Sequence, residues 1–267
     1  MKLLPPSFLA LLMAGLPLSA ARAGDYPWSG DWALTLGGSV ANAPAFYGAR
    51  DRRFVFSPIL SIGRQSKLDR FVSRNDSASL PLYDSGRVSF GLAGRFLAAR
   101  DENTSEDLHG LEDVRFGGEV GAFAQAYPTD WLRTRVEVRH GIRSHHGTVL
   151  DLQADAYTDI TPTLRISGGP RATYASSAFG RAYYGVNGEQ AAASGLDPYD
   201  PGSGWQSVGA GGALTWKATD KVETSAFVEY RRMIGTAADS SLVRQKGSEN
   251  QLTVGLSASY RFDFTLE

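Results

Sequence analysis

The sequence predicts an all-β fold, a transmembrane antiparallel up-and-down β-barrel of about twelve strands with ten as the fallback count, preceded by a signal peptide. Three observations predict it. Apolar residues recur at every second position in segments of about ten residues, long enough to cross a bilayer at a tilt. Those segments are joined alternately by short turns and by long polar loops, as in a barrel whose two rims differ. After Ala23 no run approaches the roughly 18 to 20 apolar residues of a membrane-crossing helix, so membrane residence has to come from strands.

Lys2, the apolar stretch Phe8 to Leu18 and the small residues Ala21-Arg22-Ala23 read as a signal peptide over 1–23, with the mature chain and its single barrel domain running from Gly24 through 267. Without cysteine it is no lipoprotein signal. Strands are expected at roughly 32–40, 53–62, 67–74, 78–84, 87–98, 113–126, 131–142, 148–160, 163–174, 204–217, 221–232 and 250–264. An even count places both ends of the mature chain on the periplasmic side. The third and fourth strands have the weakest pattern, because Ser73 to Ser79 is polar and Pro81 removes a ladder donor unless it sits at a bulge.

The last segment shows the alternation best: Leu252, Val254, Leu256, Ala258, Tyr260, Phe262 and Phe264 share one face, and Gln251, Thr253, Gly255, Ser257, Ser259, Arg261 and Asp263 the other. In the 131–142 segment Leu132, Thr134, Val136 and Val138 alternate with Arg133, Arg135, Glu137 and Arg139. Short turns fall at Asp84-Ser85-Gly86, Tyr127 to Asp130, Ile160 to Thr163 and Ala218 to Asp220, and long loops at 41–52, 99–112, 175–203 and 233–249. A soluble sandwich also alternates, but it has no reason to sort short turns from long loops. Trp28, Trp32, Tyr127, Trp131, Tyr174, Trp205, Trp216, Tyr230, Tyr260 and Phe262 gather near strand ends, where a membrane interface favours them.

Composition narrows the chemistry. A net charge of -1 lacks the basic excess that a nucleic-acid partner requires, and zero cysteines exclude thiolate metal sites and thiol nucleophiles. On the polar face, a hairpin with its tip near His145 sets Arg139 opposite Asp151 and Arg135 opposite Asp155; with Arg95 and Glu119 these are the luminal charged candidates, read as mutually satisfying charges before an ion-selective lining. Ser144 with His140 or His146, oriented by Asp107 or Glu112, is the one hydrolase arrangement that can be assembled, and no nucleophile elbow accompanies it. His145 and His146 are adjacent and lack a third metal ligand, and the acidic run at 101–113 lacks the spacing and glycine of a calcium hand, so neither a metal nor any other cofactor is expected. Tyr183, Tyr184 and Tyr199 in the longest loop are candidates for a constriction or a contact surface.

Several strings resemble the MipA/OmpV family of outer-membrane proteins. They are Phe46-Tyr47-Gly48 with Arg52 or Arg53 and Pro58-Ile59-Leu60; Tyr183-Tyr184-Gly185-Val186 with Ser194-Gly195-Leu196 and Tyr199; Ala238-Asp239-Ser240 with Leu242-Val243 and Asn250; and Tyr260-Arg261-Phe262. Ala49 and Ser241 depart from the family's usual serine and proline, and the chain runs on through Asp263 to Glu267 past the usual terminal aromatic, leaving Tyr260, Phe262 or Phe264 as the C-terminal assembly signal. The resemblance implies residence in the Gram-negative outer membrane among lipid and lipopolysaccharide. It also implies a non-enzymatic scaffold that holds a lytic transglycosylase near a murein synthase on the periplasmic side. A small solute channel is the alternative, and an esterase or lipid-modifying hydrolase the remote one.

Overall fold

The computed structural model describes residues 29–65 and 70–266; the expected signal peptide, Gly24 and Trp28 lie outside the described residues. Among them, eleven strands form one sheet: β1 (Gly30–Pro44), β2 (Arg52–Arg64), β3 (Ala78–Asp84), β4 (Val88–Leu97), β5 (Gly117–Thr129), β6 (Leu132–Ile142), β7 (Thr148–Thr161), β8 (Leu164–Ala175), β9 (Gly204–Lys217), β10 (Val222–Met233) and β11 (Asn250–Leu266). Sequence neighbours pair antiparallel from β3 round to β11, β11 pairs with β1, and β1 with β2. The sheet curls until its two edges, β2 and β3, lie side by side, giving a nearly closed barrel whose remaining seam has no hydrogen-bonded ladder among the described residues.

The expected count of twelve is therefore corrected to eleven. The missing strand is the one placed at 67–74: the described part of this stretch, continuing to Ser77, is not a strand but runs inside the barrel. Arg70 donates to the Gly86 carbonyl at 2.6 Å and pairs with Asp84 at the short-turn rim. The Phe71 carbonyl accepts from the Tyr127 hydroxyl at 2.9 Å, Asn75 donates to Glu229 at 2.7 Å, and the Ser77 hydroxyl donates to Glu137 at 2.6 Å. Ser73, Arg74, Asn75, Asp76 and Ser77 have no apolar face to turn to lipid, where unsatisfied polar groups each cost several kcal/mol, and the lumen supplies their partners. Because this segment makes the return trip inside, β2 and β3 run in the same direction, and an odd strand count still sets Gly30 opposite Leu266 on one rim. Pro81 sits at a register shift between Pro81 and Tyr83, where the ladder does not need its missing donor.

Side chains divide as the alternation requires, with an inversion of the usual order. Arg133, Arg135, Glu137, Arg139 and Asp155 are enclosed, whereas Phe54, Phe56, Leu82, Phe96 and Leu256 are exposed, Leu256 by 66%. Two stacked sheets would hide these apolar residues between them; here they cover the outside, the arrangement of a barrel solvated by hydrocarbon. Trp131, Trp216, Tyr260 and Phe262 stand outward near the short turns, and Tyr174, Trp205 and Tyr230 near the long loops. Trp205 and Trp216 lie eleven residues apart on β9, about 25–28 Å along the axis of a barrel whose strands tilt by about 40°. That matches the height of a lipid-facing apolar band. Tyr127 departs from the expected belt: it faces inward, held by Phe71.

Candidate functional site

Two regions collect the polar and aromatic residues singled out above: a charge network across the lumen and a cap built from the long loops. The network begins on β6, whose period of two points Arg133, Arg135, Glu137 and Arg139 inward in succession. Arg139 donates to Glu119 at 2.8 Å and to Asp151 at 2.5 Å, and also pairs with Glu137. Arg135 donates to Glu137 at 2.7 Å and to the Ser79 hydroxyl at 2.6 Å, with its guanidinium 4.0 Å from the centre of the Phe123 ring. Arg133 reaches Asp76 at 2.6 Å and Asp155 at 3.4 Å, and Asp155 also pairs with Arg171. Arg95 approaches Asp151 only at 3.5 Å. In a low-dielectric interior each unpaired charge would be costly, so the mutual pairing is what makes this lumen tolerable.

The expected register needs correcting by two residues. Arg139 lies opposite Val149, Glu137 opposite Asp151, and Arg133 opposite Asp155. Arg139 still meets Asp151, but diagonally, while Arg135 does not reach Asp155 and turns to Glu137 instead. The cause is the tip: Gly141 donates to the Gly147 carbonyl, and Arg143 takes a left-handed φ of 72°, so the hairpin turns one residue earlier than His145.

His145, expected at the tip of the hairpin, is buried beneath the cap. Its Nε2 lies 3.1 Å from Glu119, its Nδ1 accepts the Gly147 N–H at 3.1 Å, and its ring meets Phe179 edge-on at 5.1 Å. A Cβ on Gly141 would stand 2.3 Å from this ring, which is why glycine occupies that position. With both nitrogens engaged, His145 has no lone pair for a nucleophile. The hydrolase arrangement is not brought together: His140 faces outward against the Thr148 hydroxyl, His146 is exposed, and the Ser144 hydroxyl has no hydrogen-bond partner among the described residues. No group of three metal-ligating side chains occurs among the described residues.

The cap fills the other rim. The long loop at 175–203 folds into α1 (Ser177–Tyr184) and α2 (Gly188–Ser194), and the loop after β10 contributes α3 (Gly235–Ala238) and a π-helical turn at Leu242–Lys246. Helix α2 is bounded by a reciprocal cap between Asn187 and Gln190 and ends at Gly195 in the left-handed region. Phe179, Tyr183 and Tyr184 from α1 pack with Val114, Met233, Ala237 and Val243; beside them Phe46, Leu108, Val186, Leu196 and Leu242 form a second apolar cluster, with Tyr199 against it. Arg100 donates to the Tyr183 carbonyl at 2.6 Å and to that of Ala182 at 3.4 Å, closing the C-terminal end of α1 with a cation. Burial lowers the pKa of Arg100 and raises those of Tyr183 and Tyr184, whose phenols therefore stay neutral. Tyr199 donates to the Thr236 carbonyl at 2.8 Å.

Gly48 has a φ of +96° and lies where a Cβ would come within 2.5 Å of Val243, and its N–H donates to Gln251 at 3.1 Å. The strings that carry the family resemblance in the loops thus meet in one place, and they are cap-building residues. Arg100, Phe179 and the 70–77 segment escaped sequence reading, although Phe179 and Tyr183, four residues apart, carry a helical signal. At the opposite rim Tyr260, Phe262 and Phe264 lie on β11 across from Leu36, Leu34 and Trp32, and the strand continues to Leu266.

Several solved outer-membrane proteins are similar in part. A bacterial polysaccharide outer membrane secretin shares 11% identity over 89% of this chain and 100% of its own, with a TM-score of 0.43. Neisserial surface protein A shares 10% over 86% and 97%, with a TM-score of 0.30, and the outer membrane protein OprG from Pseudomonas aeruginosa 10% over 89% and 99%, with a TM-score of 0.29. No curated protein matches the chain. The family described as MltA-interacting protein MipA matches residues 36–262, from the first strand through the whole cap to the last, and the chain belongs to that family.

Proposed function

We propose that this chain is an outer-membrane β-barrel of a Gram-negative bacterium that performs no reaction itself and acts as a scaffold for murein-remodelling enzymes, a lytic transglycosylase and a murein synthase, at its periplasmic rim. The observation that carries the membrane half of this reading is the inverted distribution of side chains, charges enclosed and apolar residues exposed between two aromatic rings. The family description, an MltA-interacting protein, supports the scaffold half. The long-loop end is occupied by its own packed cap, and this reading assigns the short-turn rim to the periplasmic partners. Its exposed ion pairs, Arg165 with Asp159 at 2.6 Å and Arg261 with Asp263 at 2.9 Å, offer polar contacts to a partner.

Photo-crosslinking residues placed at Asp130 and Thr219 on the short turns, and at Glu189 on α2, test this in the native envelope. Capture of a lytic transglycosylase or a murein synthase from the short turns but not from Glu189 is the expected result; capture of neither enzyme there defeats the scaffold reading. The channel alternative is disfavoured by the lumen itself, which is crossed by the 70–77 segment and filled by the charge network.

A further inference from the structure

β2 and β3 leave the wall incomplete at the long-loop end. Both strands finish at the short-turn rim, β2 with Arg64 opposite Trp32 and β3 with Asp84 in the turn that holds Gly86. The 13 residues of β2 exceed the seven of β3 by six, so Arg52 to Ser57 rise beyond β3. Across from them β4 lacks a neighbour too: its last pair with β3 is Gly94 with Ala78, which leaves Arg95, Phe96 and Leu97 uncovered on that side. Three to six residues tilted by about 40° span about 8–15 Å of height, the headgroup side of one leaflet.

Burial shows that this notch is open. Of the eleven strands, only β2 and β3 contain no buried residue among those described. Ser57 points inward opposite Ser39 on β1, yet Ser57 is exposed while Ser39 keeps 3% of its surface. Arg53, on the same inward face, is exposed and makes no hydrogen bond or ion pair among the described residues. Arg95 faces in from the other flank, with a single ion pair at 3.5 Å and 29% of its side chain accessible. Outside, Phe54, Phe56 and Phe96 are the three most exposed large apolar side chains described. Each seam strand also carries a proline, Pro58 and Pro81, a residue with no donor to give a ladder, which keeps the two edges unzipped.

An occupant of the notch has three demands to meet. The bare edges of β2 and β4 present backbone N–H and C=O groups that hydrocarbon cannot satisfy. Guanidiniums stand on both flanks, and aromatic rings line the lipid side. An acyl chain alone meets only the last demand. A lipid whose headgroup joins phosphates to amide and hydroxyl groups, with acyl chains beneath, meets all three. Resting on the outer-membrane half of the function proposed above, which makes the long-loop leaflet the outer one, we infer that the notch between β2 and β4 is a lateral binding site for lipid A, the anchor of lipopolysaccharide. Its phosphates meet Arg53 and Arg95, and an acyl chain lies across the opening against Phe54, Phe56 and Phe96.

The chain has no cysteine, so a single bimane label can be placed at Ser57→Cys, Ser257→Cys or Leu256→Cys. Ser257 faces inward in the same rung as Ser39 and Ser57 but behind a paired wall, and Leu256 faces out. In vesicles of phosphatidylcholine with brominated acyl chains, quenching is expected at Leu256 and Ser57 and not at Ser257. Unbrominated lipid A is expected to relieve the quenching at Ser57 at about tenfold lower mole fraction than lipid A stripped of its phosphates, with no such preference at Leu256. Arg53→Gln together with Arg95→Gln is expected to abolish the preference while the barrel keeps its heat-modifiable migration. An unquenched Leu256 would overturn the membrane reading and this site with it. Quenching at Leu256 without quenching at Ser57, equal relief by the phosphate-free lipid, or a preference that survives in the folded double variant would overturn the lipid A site alone.

Discussion

Arg139 is held by Glu119, Glu137 and Asp151 together, so it neutralises a cluster that no other single group could. Replacing it with leucine removes the guanidinium shared by three buried carboxylates, leaving Glu137 to Arg135, Asp151 to Arg95 and Thr173, and Glu119 to His145, and a loss of about 3–5 kcal/mol is expected in urea unfolding from lipid vesicles. At Gly48 the restriction is conformational rather than electrostatic: alanine would have to adopt a φ of +96° and press against Val243. A cost of about 1–3 kcal/mol is expected, seen as faster proteolysis of the cap with the strands unaffected. The alternation that put these luminal charges inward was plain in the sequence, since a period of two fixes the face. Which carboxylate each arginine would meet was not, because a tip displaced by one residue moves every partner across the hairpin by two. Glycines 48 and 141 likewise look ordinary until the neighbours that crowd them, Val243 and the His145 ring, are in place.

Strand ends agree with the expected ones within about four residues in every case but 67–74, and the 204–217 strand matches at both ends. Hydrophobic alternation and turn residues carry that information locally. The segment 70–77 was illegible for the opposite reason: its serines, Arg74, Asn75 and Asp76 show polarity without direction, and their partners lie on β6, β7 and β10. The cap was hidden too, since its helices are short and derive their stability from packing between loops far apart in sequence. Arg100→Ala is expected to loosen the end of α1, so that trypsin cuts the helical backbone after the already exposed Arg181 at concentrations that leave the unaltered cap uncut. On the outer face, Leu256 near the middle of β11 is predicted to tolerate charge poorly, with Leu256→Arg costing about 2–4 kcal/mol in the same vesicle unfolding assay.

For the molecule as a whole, a lumen filled by paired charges and a rim closed by a packed cap predict no unitary conductance across a planar bilayer. Discrete steps from the full-length protein would contradict that reading. The hydrogen-bonded ladder starts at β2, passes through β1 and β11, and ends at β3, so the first and last strands are interior members of the sheet. Its two open edges instead belong to strands separated only by residues 65–77. The distant join, β1 with β11, has to form before the cylinder can exist, and it bears nearly the whole entropy of bringing far parts of the chain together. Closing the seam afterwards is a meeting of near neighbours on a short tether, for which the logarithmic dependence on loop length leaves little further penalty. The capture of β11 by β1 is therefore expected to be the slower of the two closures, and sealing the seam the more local one.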